Sequence, residues 1–127
     1  MSKSILSVNG NKAMNYLLQT ILEKEYDFVP AFDVFQAVRQ MKTNKDICAL
    51  IVDLDYQPQQ SWEFINHIKT SKLFGVPVMV LTSQNTPLIE QKCYESAVDE
   101  IFVKPFDPVE MIASVKNILT SKEAISA

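Results

Sequence analysis

The sequence has few of the residues that several common functions require. Its 127 residues include only two cysteines and two glycines, and the formal net charge is −3. Cys48 and Cys93 lie far apart and form neither a C-x-x-C motif nor a disulfide framework. Because the net charge is negative, the sequence shows neither a basic patch that would bind nucleic acid nor a polybasic segment that would bind a membrane surface. We therefore expect neither nucleic acid nor a membrane among the partners.

Long apolar segments are also missing. No stretch approaches the roughly 20 apolar residues of a membrane span. The first residues, "MSKSILSVNG", lack the apolar region of a signal peptide. These two absences favour a cytoplasmic protein.

The scarcity of glycine bears on cofactor binding. An α/β protein that binds a flavin or a nucleotide needs a glycine- or hydroxyl-rich loop after its first strand, so that backbone amides can reach the phosphate. The segment "NGNKAMN" contains a single glycine, Gly10, and is too short to indicate such a loop. We expect neither a nucleotide nor a flavin.

Strand-like and helical patterns alternate along the chain. The strand-like runs cover residues 4–8, 27–32, 48–54, 76–82 and 99–103. A helical pattern follows each run, with N-cap signals at Asp33, Thr86 and Asp107 for the second, fourth and fifth helices. These three helices are predicted to end near residues 42, 96 and 120.

This alternation predicts one α/β domain with a parallel sheet covered by helices on both faces. Pro30 weakens the second strand and restricts it to a sheet edge. The doubly wound, flavodoxin-like order 2-1-3-4-5 in three layers fits best. The functional crevice of such a sheet lies beyond the carboxyl ends of its strands, near strands 1 and 3.

Polar residues follow the strands that end at this crevice. They are Asn9 and Gly10 after the first strand, Asp53 and Asp55 in "LIVDLD", Thr82 after the fourth strand, and Lys104 after the fifth. A carboxylate can accept a phosphoryl group, while an ammonium and a hydroxyl can stabilise phosphate oxygens. Because they lie at the rim, we expect that neither carboxylate needs to be buried.

With these residues the chain resembles the receiver domain of bacterial two-component response regulators (CheY-like). The resemblance rests on "IVDLD", "PVMVLTS" and "IFVKPFDP" and covers essentially the whole chain. It implies a receiver domain over 1–121, followed by a polar tail over 122–127 that is expected to fray. It also implies that Asp53 is the phosphoacceptor, Thr82 the hydroxyl switch residue and Lys104 the phosphate-binding lysine, with a cis Lys104–Pro105 bond.

The chain departs from the family pattern at three places. One is the loop "DLDYQPQQSW", in which the proline lies one position later than usual and Ser61 stands where a glycine is common. Receiver domains normally end strand 1 with two adjacent acidic residues that hold Mg²⁺, and this chain has Asn9 and Gly10 there. Asp53 is then the main expected ligand, with Asp55 as a further candidate, so we expect weak Mg²⁺ binding. The aromatic switch position, three residues before the lysine, is Ile101. Phe102 is adjacent but points to the opposite face of the strand.

Two functions stay open at this point. One is a stand-alone response-regulator receiver in a phosphorelay, with Asp53 as the acceptor. The other is a degenerate pseudo-receiver that binds partners without phosphorylation, in which Asp53 and Lys104 form a structural ion pair. Neither is an enzyme beyond an impaired self-phosphorylation and dephosphorylation at Asp53.

The resemblance also implies the kinds of partner. They are a sensor histidine kinase or a phosphotransfer protein, and a downstream effector protein. The surface expected to dock them comprises helix 4, strand 5 and helix 5. A homodimer is a further candidate.

Overall fold

The strands and helices alternate as the sequence predicts. A computed structural model describes residues 3–71 and 75–126, with side chains up to residue 121. The elements are β1 (Ser4–Val8), α1 (Lys12–Leu22), β2 (Asp27–Ala31), α2 (Val34–Thr43), β3 (Ile47–Asp53), α3 (Pro58–Thr70), β4 (Val78–Thr82), α4 (Pro87–Glu95), β5 (Glu100–Val103) and α5 (Pro108–Ser126). Among these helices, none is both long and apolar enough to cross a membrane.

The strands form one parallel sheet in the order β2-β1-β3-β4-β5, which confirms the predicted fold class. The strand that carries Pro30 lies at the edge, where a residue without a backbone N–H removes no essential ladder bond. All residues of β1 and β4 are buried, as expected for strands covered on both faces.

The core has two parts, one on each face of the sheet. On one face, Leu6, Leu50 and Val80 pack with residues of α2, α3 and α4. On the other face, Ile51 and Met79 pack with residues of α1 and α5. The domain therefore has three layers, and the carboxyl ends of its parallel strands lie at one edge of the sheet.

The predicted N-caps are confirmed. The side chain of Asp33 accepts the backbone N–H of Gln36 at 2.8 Å, and that of Thr86 accepts the N–H of Ile89 at 3.2 Å. Asp107 accepts two backbone N–H groups at the start of α5. Each cap satisfies donors that the first turn of a helix leaves without a partner.

The prediction for the last helix was wrong at its end. We expected α5 to end near Thr120, but the helix continues to Ser126. Lysine, glutamate and alanine are good helix formers, and the segment "SKEA" contains no glycine or proline to stop the helix. Polarity alone is therefore a poor signal for a helix end.

Candidate functional site

The site lies at the carboxyl edge of the sheet. Asp53 is the last residue of β3 and Thr82 the last residue of β4, while Asn9 directly follows β1 and Lys104 directly follows β5. Because the strands are parallel and adjacent, residues up to 51 positions apart in sequence meet there. The structure brings the predicted site residues together.

Asp53 is buried, with only 3% of its surface exposed. Its Oδ2 accepts hydrogen bonds from Lys104 Nζ at 2.5 Å and from Asn9 Nδ2 at 2.8 Å. Its Oδ1 accepts the backbone N–H of Asp55 at 2.8 Å. We expected that this carboxylate need not be buried, and the structure buries it. Three donors, including one ammonium, compensate for its desolvation.

Lys104 bridges the two carboxylates of the "DLD" segment. Its ammonium lies 2.5 Å from Asp53 Oδ2 and 3.1 Å from Asp55 Oδ2, and 19% of its side chain is exposed. Burial on its own would lower the pKa of Lys104, but hydrogen bonds and charge attraction from both aspartates raise it above its ordinary value. The lysine is therefore held in its charged form. The following Lys104–Pro105 bond is cis.

Asp55 reaches across to the end of the neighbouring strand. The backbone N–H of Ser83 lies 3.0 Å from each of its two carboxylate oxygens. Partial burial would raise the pKa of Asp55, but the bonds from Ser83 and Lys104 lower it below its ordinary value. The role of Ser83 was not predicted, because a backbone donor leaves no signature in its own side chain.

The hydroxyl of Thr82 is turned toward the loop that follows it. Thr82 Oγ1 accepts the backbone N–H of Gln84 at 3.0 Å and lies 3.1 Å from the carbonyl oxygen of Gln84. The nearer oxygen of Asp55 is 3.5 Å away, at the limit of a hydrogen bond. A hydroxyl has one proton to donate. Thr82 therefore donates to Gln84 in preference to Asp55.

Asn9 presents its amide N–H, not its oxygen, to Asp53. The Asn9 side chain is buried, and its Oδ1 accepts the backbone N–H of Asn11 at 2.8 Å. Behind it, Asn15 Nδ2 donates to the Asn9 carbonyl at 3.3 Å, and Ser7 Oγ donates to Asn15 Oδ1 at 2.6 Å. This buried polar network holds the Asn9 side chain in the orientation that points its amide N–H toward Asp53. Sequence reasoning missed it, although Asn15 lies among the apolar positions of α1.

The ring of Tyr56 lies against Gly10. A Cβ atom added at Gly10 would collide with three carbon atoms of that ring. Tyr56 directly follows Asp55, and the next residue, Gln57, has a left-handed backbone with φ of 50°. The loop after β3 therefore occupies the space that an acidic side chain at position 10 would need.

These contacts decide how well the site suits Mg²⁺. Magnesium prefers near-ideal octahedral oxygen ligands, including one or two carboxylates. The side-chain oxygen of Asn9 is bonded to a backbone amide, Gly10 has no side chain, and both aspartates are paired with Lys104. Among residues 3–71 and 75–121, whose side chains the structure describes, no group of three or more His, Cys, Asp or Glu residues could hold a metal ion. The donor set offers Mg²⁺ fewer carboxylates at the end of β1 than the acidic pair typical of receiver domains would.

The position three residues before Lys104 is aliphatic and faces the α2, α3 and α4 side of the sheet. Ile101 is half-buried there and packs against the core of that face. Phe102 is buried on the opposite face, against residues of α1 and α5. The opposite orientations confirm the prediction that Phe102 points to the face of the strand opposite Ile101.

Comparison with solved structures places the fold among receiver domains. The chain superposes with a TM-score of 0.87 on the signal receiver domain of an HD domain-containing protein from Pseudomonas fluorescens, at 17% identity, covering 98% of this chain and 99% of that one. A response regulator from Thermotoga maritima gives a TM-score of 0.84 at 19% identity, covering 94% and 99%. Similarity at this identity establishes the fold alone.

Curated relatives are similar in sequence over nearly the whole chain. The hybrid signal transduction histidine kinase D of Dictyostelium discoideum is 30% identical over 122 residues, which make up 94% of this chain and 8% of the kinase. The alkaline phosphatase synthesis transcriptional regulatory protein PhoP of Bacillus subtilis is 30% identical over 124 residues, 97% of this chain and 51% of that protein. The chain thus spans about half of one relative and a small part of the other.

The family model described as the response regulator receiver domain matches residues 5–116. The matched region contains all of β1 except its first residue, the strands β2 to β5, and every residue of the site. With the fold and the sequence in agreement, the chain belongs to the response regulator receiver domain family of two-component signalling.

Proposed function

We propose that this receiver domain transmits a signal by docking a partner protein, and that phosphorylation of Asp53 is impaired. In this proposal the receiver unit covers residues 1–121 and works in the cytoplasm. Receiver domains of response regulators are signalling modules that generally interact with histidine kinases and effectors. The candidate partners are therefore a histidine kinase or phosphotransfer protein on one side and an effector on the other.

The bond from Asn9 Nδ2 to Asp53 Oδ2, at 2.8 Å, is the observation that carries this proposal. An acidic residue at position 9 would need a cation between itself and Asp53, because two carboxylates repel each other. The amide donor instead stabilises Asp53 directly. Phosphoryl transfer depends on positioning and on cations that neutralise the developing charge. Without a firmly held metal, transfer to Asp53 is expected to be slow.

The proposed docking surface is formed by α4, β5 and α5. It exposes large apolar side chains, namely Leu88, Tyr94, Val103 and Val109. Exposed aromatic and aliphatic groups of this kind are typical anchors of protein interfaces. Their exposure supports a surface that is ready for a partner without prior modification.

The second candidate function is an ordinary phosphorylated receiver. The contact between Lys104 Nζ and Asp53 favours it, because the acceptor and the phosphate-binding lysine of the family are both present and adjacent. In that case Asp53 would take up a phosphoryl group despite the unusual metal position, and signalling would depend on Asp53.

Replacement of Asp53 distinguishes the two candidates. In the host cell, Asp53→Asn is expected to leave partner binding and signalling output nearly unchanged, because asparagine retains an acceptor for Lys104 and Asn9. The matched surface variant is Tyr94→Lys, which alters a side chain that is 87% exposed on α4 and should weaken docking. Loss of output in Asp53→Asn, with output retained in Tyr94→Lys, would contradict the docking proposal.

A further inference from the structure

We infer that the Asp55 carboxylate is an internal anion that occupies the place a phosphoryl group on Asp53 would need. This inference rests on the proposed function and gives it a second cause, separate from the weak metal site. Asp55 would act by competition. It holds the donors that an incoming phosphoryl group requires.

The donors around Asp55 form a small anion site. Ser83 N–H lies 3.0 Å from both carboxylate oxygens, and Lys104 Nζ lies 3.1 Å from Oδ2. Backbone N–H groups and lysine ammonium groups are common ligands of phosphate oxygens in proteins. The same ammonium contacts Asp53 Oδ2 at 2.5 Å. The anion site therefore lies directly beside the acceptor.

The contacts of Asp55 differ from those of the helix-capping aspartates. Asp33 and Asp107 accept backbone N–H groups two or three residues ahead in their own segments. Asp55 instead accepts the N–H of a residue 28 positions later, at the end of another strand, and shares the lysine of the acceptor. A local turn cap needs neither of these contacts.

Charge makes the competition strong. The site contains one ammonium and two carboxylates, all bonded through Lys104. A phosphoryl group would add a charge of about −1.5 to −2 to Asp53. Lys104 and Ser83 cannot stabilise the new charge while they hold Asp55. The Asp55 carboxylate must move away, or the phosphoryl group must remain poorly compensated.

The test uses inorganic phosphate and does not depend on phosphoryl transfer. The background variant is Asp53→Asn, which removes repulsion between Asp53 and the free anion. Amide NMR follows Ser83 as phosphate is added to Asp53→Asn and to Asp53→Asn/Asp55→Ala. We expect phosphate to bind the double variant at least about tenfold more tightly, since it gains charge-assisted bonds that Asp55 otherwise holds. The saturable shift should include Ser83 and disappear when Lys104→Ala is added.

Two further variants make the result decisive. Asp55→Asn keeps the shape of the side chain and removes its charge. Its phosphate affinity should fall between those of the other two proteins, because asparagine still accepts hydrogen bonds from the same donors but more weakly. Asp107→Asn in the Asp53→Asn background is the matched control, because asparagine is an equally good N-cap and Asp107 accepts only local backbone amides. It should leave phosphate binding unchanged.

The inference would be overturned if phosphate affinity rose by less than about tenfold in the alanine variant and did not rise in Asp55→Asn. Failure of the proposed function looks different. Ready phosphorylation of Asp53 in the wild-type protein would overturn the proposed function. It would leave the phosphate titration intact, because residue 53 is asparagine in every protein of that titration.

Discussion

The two halves of the site differ in how their groups are bonded. We call Lys104, Thr82 and Ser83 the phosphate half, and Asn9, Gly10 and Tyr56 the metal half, after the roles proposed for them. In the phosphate half, Lys104 and Ser83 are bonded to Asp55, and Thr82 is bonded to the loop after β4. The metal half contains no acidic side chain, and has an amide donor and an aromatic ring.

This difference determines how the charge of Asp53 is compensated within the protein. Asp53 is almost fully buried, so its charge needs compensation whether or not a cation is bound. In the metal half, Asn9 provides a neutral donor where an acidic residue would add repulsion. In the phosphate half, Lys104 provides the positive charge. Asp53 is therefore compensated by the protein alone.

The largest expected effect comes from removing the charge of the phosphate half. Lys104→Ala leaves a buried carboxylate without its cation, and we expect the free energy of unfolding to fall by about 3 kcal/mol, the lower end for a broken buried ion pair because the lysine is partly exposed. Urea denaturation measures the change.

Lys69→Ala is the matched control for this variant. The Lys69–Asp99 pair has similar lysine exposure, since 17% of the Lys69 side chain is exposed. However, 18% of the Asp99 side chain is exposed, compared with 2% of the Asp53 side chain. Asp99 also keeps the backbone N–H of Val78. The control should lose clearly less stability. Equal losses would show that Asp53 does not depend on Lys104.

The next effect concerns restoration of the metal half. Asn9→Asp and Gly10→Asp together should increase Mg²⁺ affinity by roughly tenfold to a hundredfold, because two carboxylates are added beside Asp53. Tyr56→Ala is included so that the new side chain at position 10 does not meet the ring. Titration calorimetry measures the affinity.

Tyr56→Ala alone is the control for the restored site. It removes the ring and adds no ligand, so its Mg²⁺ affinity should equal that of the wild-type protein. Tight binding by the unmodified protein would point to Asp55 as a replacement ligand. An absent gain in the triple variant would mean that positions 9 and 10 do not face the metal.

The smallest expected effect is a change in pH dependence. The pKa of Asp55 is lower in the folded protein than its ordinary value of 3.8. Its contribution to stability is therefore present above that value and is lost as the pH falls through the lower folded pKa. Lys104→Ala should raise the pKa of Asp55, as carbon-detected NMR can show. The associated stability change should stay below about 1 kcal/mol, because this carboxylate is partly exposed. An unchanged pKa would mean that the contact with Lys104 is weak in solution.

The sequence predicted the fold through features that have simple physical causes. Continuous apolar runs produced the buried strands, and Pro30 indicated which strand lies at the edge. Capping side chains marked three helix starts. The predicted end of α5 was wrong. The polar segment was expected to end the helix, but its residues are good helix formers and the helix continues.

The proximity of the site's side chains was predictable from the sequence, but their contacts were not. Asp53, Lys104 and Asn9 could be placed together because each follows a parallel strand. The burial of Asp53 and the bond from Ser83 to Asp55 depend on loop conformation and on a backbone donor, which no residue type encodes. The position of Tyr56 over Gly10 likewise depends on a loop that includes a left-handed non-glycine residue, Gln57.

The most informative measurement is the intact mass of the protein after treatment with a small-molecule phosphodonor and Mg²⁺. We propose that Asp53 accepts phosphate poorly because the metal half lacks ligands and Asp55 occupies the phosphate half. Only a small fraction of the wild-type protein is therefore expected to gain the mass of one phosphoryl group. A clear gain is expected once Asn9→Asp, Gly10→Asp, Tyr56→Ala and Asp55→Ala are combined, which Asp53→Asn should abolish. Rapid and complete phosphorylation of the wild-type protein would contradict the account.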